Sequence, residues 1–177
     1  MTDNIITERL ILRKFKISDA VEFLKISSNE NVYKYMTWNG CQTMEEVIKI
    51  LITWEKTYES NPEFINFAIT LKENDLLIGG INNVSFKNGI PEVGFYLGED
   101  YWNKGYMSEA LRAFIPFLNS LGYNKIRIDA CVENIASNKV IQKCGGKLIG
   151  TYKLYVDIRK ETWLINSYII EKGEEKC

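Results

Sequence analysis

With 177 residues, 46% hydrophobic and 25% charged side chains, the chain has the make-up of one globular domain able to bury roughly 70% of its unfolded surface. A net charge of −1, with Lys and Arg interspersed among Asp and Glu, supplies no field for nucleic acid or anionic membranes, and no apolar run approaches a span of ~20 residues. The absence of histidine excludes Ser-His and Cys-His nucleophilic catalysis and histidine metal sites.

A first strand is expected near Arg9–Phe15 from the alternation of Leu10 and Leu12, with Ile5 before it. Ser18 and Asp19 open a helix whose apolar residues are Val21, Phe23, Leu24 and Ile26. Thr43-Met44-Glu45-Glu46 has the form of a capping box, so a helix carrying Val47, Ile48, Leu51, Ile52 and Trp54 starts there and ends before Pro62. Phe64–Leu71 and Leu76–Phe86 read as a hairpin joined by Lys72-Glu73-Asn74-Asp75, and Asn88-Gly89 is a two-residue hairpin signal leading into Pro91–Leu97. Then comes a helix with Met107, Leu111, Phe114, Leu118 and Leu121 on one face and Gly122 closing it; Pro116 either kinks it or falls where its ladder is already broken. Ile126, Ile128, Ala130 and Val132 alternate as a strand, and Ser137–Cys144 reads as a short helix capped by Gly145-Gly146. Strands near Lys147–Val156 and Glu161–Ile170 complete the chain.

Three consecutive antiparallel strands followed by a βαβ unit imply an α+β fold: a mixed sheet with helices on both faces, not a doubly wound one. A single domain is expected over 1–177, with a core about 7–170 and a loose polar tail from Glu171 to Cys177. Cys41, Cys131, Cys144 and Cys177 form no close pair, so no zinc or redox site is expected, and Cys131 and Cys144 read as small core residues. The start Met1-Thr2-Asp3-Asn4 lacks a basic stretch before an apolar core, so a cytoplasmic location is expected.

Two segments carry chemistry. Tyr101-Trp102-Asn103-Lys104-Gly105-Tyr106-Met107-Ser108-Glu109-Ala110 joins a strand pattern to a helix. Such a turn offers unpaired amides at the positive end of the helix dipole, and Gly105 admits a ligand that a Cβ would hold off. Glu133-Asn134-Ile135-Ala136-Ser137-Asn138 likewise falls between a strand and a helix. Together they point to a phosphate-bearing cofactor.

On these motifs, in this order, the chain resembles the GCN5-related N-acetyltransferases, within them the branch of ribosomal-protein N-terminal acetyltransferases such as RimJ and RimL. Thr7-Glu8-Arg9-Leu10-Ile11-Leu12-Arg13 is similar to the branch's opening pattern, and Glu92–Leu97 with Tyr101–Tyr106 to its strand-turn-helix pattern; the second motif continues through Lys143-Cys144-Gly145. The resemblance covers about Thr7 to Tyr168. It implies a three-layer fold whose central sheet is mostly antiparallel and splayed between its fourth and fifth strands. It also implies acetyl-CoA as donor co-substrate, with no metal. The pyrophosphate would lie on amides of Asn103, Lys104, Gly105, Tyr106, Met107 and Ser108, the pantetheine arm would pair with Phe95, Tyr96 and Leu97, Asn138 would be a further cofactor contact, and Asn134 would bond the cofactor or hold the splayed strands. Asn134 also reads as a turn or cap residue.

The chain departs from the family's Arg/Gln-x-x-Gly-x-Gly/Ala pattern at Trp102 and Met107, and Ile141 stands where many members carry a tyrosine thought to protonate the leaving thiolate. A thiol of pKa ~8.5 is already a fair leaving group, so a missing acid costs only part of the catalysis. Ser137 matches the position of a serine proposed as proton donor in this branch and equally reads as a helix cap; Glu92 is the carboxylate candidate for the base, and also an ordinary strand residue. Tyr33, Tyr35, Trp38 and Trp163 are candidates for the acceptor pocket, although aromatics at these spacings are commonly core. The expected reaction is direct acetyl transfer to a primary amine in a ternary complex. A protein N-terminus is the first acceptor reading, a small amine (polyamine, amino acid or antibiotic) the alternative, and a CoA-binding module without turnover a further one; a homodimer is left open.

Overall fold

A computed structural model of the chain describes residues 4–173; the expectations on Met1 to Asp3, on the last four positions of the tail and on Cys177 lie outside the described residues. A short strand β1 (Ile5–Ile6) precedes β2 (Leu10–Lys14), followed by helices α1 (Ala20–Ser27), α2 (Glu30–Tyr33) and α3 (Met44–Ser60). A meander of β3 (Asn66–Leu71), β4 (Leu77–Lys87) and β5 (Ile90–Leu97) leads to α4 (Tyr106–Ser120). The last part alternates β6 (Lys125–Cys131), α5 (Ile135–Lys143), β7 (Lys147–Val156) and β8 (Glu161–Glu171). One eight-stranded sheet results, in the order β1-β2-β3-β4-β5-β6-β8-β7. Every pairing is antiparallel except β5 with β6.

Local chemistry explains the element ends. Thr43 and Glu46 form the expected capping box: each side chain accepts from the other's backbone N–H, at 3.3 and 3.1 Å. Asn88 and Gly89 both take positive φ, 54° and 76°, as a type I′ hairpin turn requires. Gly122 closes the turn after α4 at φ 95°, and α4 continues through Pro116.

Four apolar expectations fail. Val21, Ile52 and Leu121 are exposed, as is Ile48. A 3-10 turn at Ile17–Asp19 starts the first helix early and rotates its buried stripe onto Ala20, Phe23 and Ile26; Leu121 lies past the end of α4. β8 extends through Glu171, whose carboxylate meets Lys125 at 2.8 Å, so the sheet continues one residue into the expected tail.

The sheet separates two cores. Leu111, Phe114 and Leu118 of α4 and Ile141 of α5 pack on one face with Val93, Ile126, Ile128 and Tyr168. Phe23 of α1 and Val47 and Leu51 of α3 pack on the other with Phe15, Ala68 and Leu77. At the rim of this second core, Arg13 is 5% exposed and forks onto both oxygens of Asp19 at 2.8 and 2.9 Å. Asp75, in the β3–β4 turn at φ 56°, accepts from Arg13, Lys16 and Thr70.

Partial burial alone would raise the Asp75 carboxyl, but these donors outweigh it and hold the pKa at about 2. The folded pKa is depressed, so this stabilisation is complete above the unfolded value of ~3.9 and is lost as pH falls toward 2. Thermal melts should therefore show Tm dropping between about pH 4 and pH 2, with a shallower drop for Asp75→Asn. Parallel slopes for the two proteins would refute the assignment.

Candidate active site

β5 and β6 run side by side only at their starts. Glu92 opposite Arg127 is their single paired position, and beyond it the strands diverge. A bulge in β4 between Asn83 and Ser85 lies level with Val93 and Glu92. Bulges bend a strand and add twist, and this one lies level with the point where pairing between β5 and β6 stops. The β6-facing edge of Phe95, Tyr96 and Leu97 is left without a strand partner, as the splay expected from sequence requires.

At the open end of this V, the chain turns into α4. Trp102 explains its own presence there: its indole N–H donates to the Leu97 carbonyl at 2.9 Å, lashing the turn to the end of β5. Asn103 and Gly105 take left-handed φ of 59° and 82° on either side of Lys104, and Gly105 is the N-cap of α4. Among the described residues, none of the six backbone N–H groups from Asn103 to Ser108 has an acceptor within the chain. Consecutive amides in such turns form a concave anion cradle, reinforced here by the helix dipole. Met107 is 6% exposed with its side chain in the α4 core, so the bulky departure from the family pattern leaves the cradle clear.

The opening Thr7-Glu8-Arg9 segment proves to buttress this cradle, which the sequence pattern alone did not reveal. Glu109 Oε1 accepts from the Thr7 hydroxyl at 2.7 Å and the Arg9 amide at 2.9 Å, and Oε2 from Arg9 Nε at 2.7 Å. Burial would raise the Glu109 carboxyl, yet these donors leave it below the usual range. Arg9 also donates to the Lys104 carbonyl at 3.1 Å and lies over the Tyr106 ring at 4.4 Å.

On the β6 side, Asn134 caps α5 by accepting from the Ser137 amide at 3.1 Å. The helix therefore starts at Ile135 and Ser137 is not its cap; its half-buried hydroxyl makes no hydrogen bond within the described residues. Asn138, read from sequence as a cofactor contact, has its amide fully used inside the protein. Its Nδ2 donates to the carbonyls of Cys131 and Asn134, both at 2.8 Å, and its Oδ1 accepts from Tyr168 at 2.7 Å and Asn166 at 3.0 Å. Its contribution is to hold α5 against β6 and β8.

The two catalytic candidates do not meet. Val93, Phe95 and Leu97 point into the α4 core, so alternation puts Glu92 and Tyr96 on the opposite face from α5 and Ser137. Glu92 sits at the closed end of the V, where its carboxylate accepts from Ser85 at 3.1 Å. The Tyr96 hydroxyl is buried without a partner among the described residues, and burial pushes its pKa up, so Tyr96 is available to an extended ligand through its backbone.

The acceptor candidates divide. Tyr35 meets Trp163 edge to face at 6.4 Å, and Arg159 from the β7–β8 turn donates to the Tyr33 carbonyl at 2.9 Å and the Trp38 carbonyl at 3.4 Å. The ring of Trp38 stacks on Phe23 in the second core. Asn29 and Asn31 donate to Glu99 at 2.7 and 3.1 Å, tying the same segment to the turn after β5. Arg159, Asn29, Asn31 and Glu99 carried no sequence signal, since each acts through a long-range contact. Among the described residues no group of three or more His, Cys, Asp and Glu side chains is placed to hold a metal.

A family model described as "Acetyltransferase (GNAT) domain" matches residues 9–147. The chain is 32% identical over 173 residues to the uncharacterized N-acetyltransferase YnaD of Bacillus subtilis (strain 168), covering 97% of this chain and 98% of that one. It is 27% identical to a GNAT-family acetyltransferase of known structure from Bacillus anthracis, with TM-score 0.81 over 96% of this chain and 98% of the other. At 19% identity the fold is also that of RimL, ribosomal L7/L12 alpha-N-protein acetyltransferase, solved in complex with coenzyme A, with TM-score 0.81 and coverage of 96% and 98%. The chain belongs to the GNAT acetyltransferase family and is an N-acetyltransferase.

Proposed function

We propose that the protein moves the acetyl group of acetyl-CoA to the α-amine of a protein N-terminus. The run of six unsatisfied amides at Asn103–Ser108, at the mouth of the splayed strands, carries this reading. These N–H groups would hold the pyrophosphate, and the free edge of Phe95–Leu97 would pair with the amides of the pantetheine arm as an added strand. That places the thioester in the V. The Nδ2 of Asn134, unused within the described residues, is available to the same ligand.

The chain's part in the chemistry is orientation and proton handling. An α-amine of pKa ~8 is partly neutral near neutral pH, and its lone pair attacks the acetyl carbon as the C–S bond breaks. The free hydroxyl of Ser137, on the α5 side of the V, passes a proton to the departing thiolate and takes one back from the water that receives the amine's proton, so the serine ends unchanged. Glu92 sits at the closed end and on the other face, so water takes the proton released by the amine, with Glu92 as its furthest relay. An N-terminal acceptor is favoured by RimL among the fold neighbours and by this reliance on an amine that needs no strong base.

Acceptor and donor are tested together by following free thiol release from acetyl-CoA with N-terminal peptides, polyamines and aminoglycosides side by side. Thiol release matched by acetylated peptide is the expected result. Turnover confined to polyamines or aminoglycosides would replace the acceptor. Tight acetyl-CoA binding with no turnover on any amine would overturn the proposed transfer.

A further inference from the structure

Beside the amide cradle lies an open groove of about 610 Å3, bordered by Arg9, Gly105, Ser108, Arg112 and Lys143. Its volume falls within the range of ligand clefts, about 300–1,000 Å3. Three separate elements build it, and specific bonds fix their spacing. Arg112 Nη2 on α4 donates to the Lys143 carbonyl at the end of α5 at 3.2 Å, and the Cys144 thiol reaches the Ser108 carbonyl at 3.6 Å. Two cations from different helices thus border one opening that begins at the cradle itself.

The acidic groups present do not cancel them. Glu109 borders the groove, but both its oxygens are taken by Thr7 and Arg9, which leaves Glu8 as the other carboxylate at the rim. The Lys143 ammonium makes no hydrogen bond within the described residues, and the guanidinium of Arg112 spends one N–H on the Lys143 carbonyl. A ligand suited to this opening carries a phosphate dianion a short distance from the diphosphate in the cradle.

We propose that Arg112 and Lys143 form a phosphomonoester subsite that reads the 3′-phosphate on the ribose of the CoA nucleotide, so that the enzyme distinguishes CoA from 3′-dephospho-CoA. The subsite rests on the acetyl-CoA reading above. A guanidinium offers paired donors to phosphate oxygens and an ammonium adds a point charge, which is the division of labour expected at a phosphomonoester.

Calorimetric titration of the whole protein with CoA and with 3′-dephospho-CoA tests it. The wild type should bind CoA about 10-fold or more tightly than the dephospho form. Arg112→Gln, whose side-chain amide can still donate to the Lys143 carbonyl, combined with Lys143→Ala should erase that preference while leaving the affinity for dephospho-CoA within about threefold, which also shows that the fold survives. Lys143→Ala alone, which removes no hydrogen bond within the described residues, should cut the preference roughly threefold. Equal affinities in the wild type, or a preference that survives both substitutions, would overturn the subsite while leaving the acetyl-CoA reading standing. If neither ligand binds the wild type, that reading falls and the subsite with it.

Discussion

Gly105→Glu should lower acetyl-CoA affinity at least 100-fold while leaving a folded protein. Gly105 holds φ 82° at the N-cap of α4, where a side-chain-bearing residue costs about 1–2 kcal/mol. The new carboxylate would add about 1–4 kcal/mol of repulsion at ~4 Å from a phosphate, across the range from bulk water to protein surface. Repulsion of roughly 3 kcal/mol, within that range, is two decades of affinity; the backbone cost adds to it only as far as the free turn relaxes out of the cradle and must be restored on binding. A Cβ at this position meets only Arg9 Nη2, at 3.5 Å, so crowding within the protein does not explain the loss. Gly105→Ala isolates the backbone term and should lower stability by about 1 kcal/mol and weaken binding by no more than about 10-fold. Calorimetry on the two variants separates the contributions; an unchanged affinity in Gly105→Glu would remove the pyrophosphate from this turn.

Asn138→Ala should be the most destabilising change near the site. It strips the partner from Tyr168, which is 1% exposed, and takes one of two donors from the Cys131 and Asn134 carbonyls, which keep the backbone amides of Asn134 and Asn138. The unpaired hydroxyl costs about 1–3 kcal/mol and each of the other lost bonds about 0.5–1.5 kcal/mol, so a total of roughly 2–4 kcal/mol is expected after relaxation and water entry. Chemical denaturation reads that loss directly. Because the same bonds fix the start of α5, acetyl-CoA affinity should fall as well, through displacement of Asn134 and Ser137. A stability loss below about 1 kcal/mol would mean that α5 is anchored by its apolar face alone.

Much of this architecture was legible in the residues. Asn88-Gly89 and the Thr43–Glu46 box specify local geometry through the conformations and bonds of a few adjacent residues, and both formed as read. The turn at Asn103–Ser108 was legible for the same reason: its chemistry is backbone amides and one glycine. What depends on distant partners was not legible. Nothing in the pattern around Thr7 indicates that it donates to Glu109, or that Arg159 would reach the carbonyls of Tyr33 and Trp38. Asn138 looked like a ligand contact because it stands in a motif; two of its four hydrogen bonds are local, to the Cys131 and Asn134 carbonyls, and the two that occupy its Oδ1 depend on β8 lying beside β6. Glu92 illustrates the limit for catalysis: its strand was read correctly, but its level along the V depends on where β5 leaves β6, which a bulge in another strand accompanies.

The open amides of the turn into α4 are the proposed seat of the cofactor's pyrophosphate. Backbone amide shifts of the 15N-labelled protein, followed as acetyl-CoA is added, test it most directly. The N–H signals of Gly105, Tyr106, Met107 and Ser108 should move most, downfield as they gain phosphate acceptors, together with those along Phe95–Leu97. Saturable binding that leaves these amides in place and shifts another part of the sheet would contradict it.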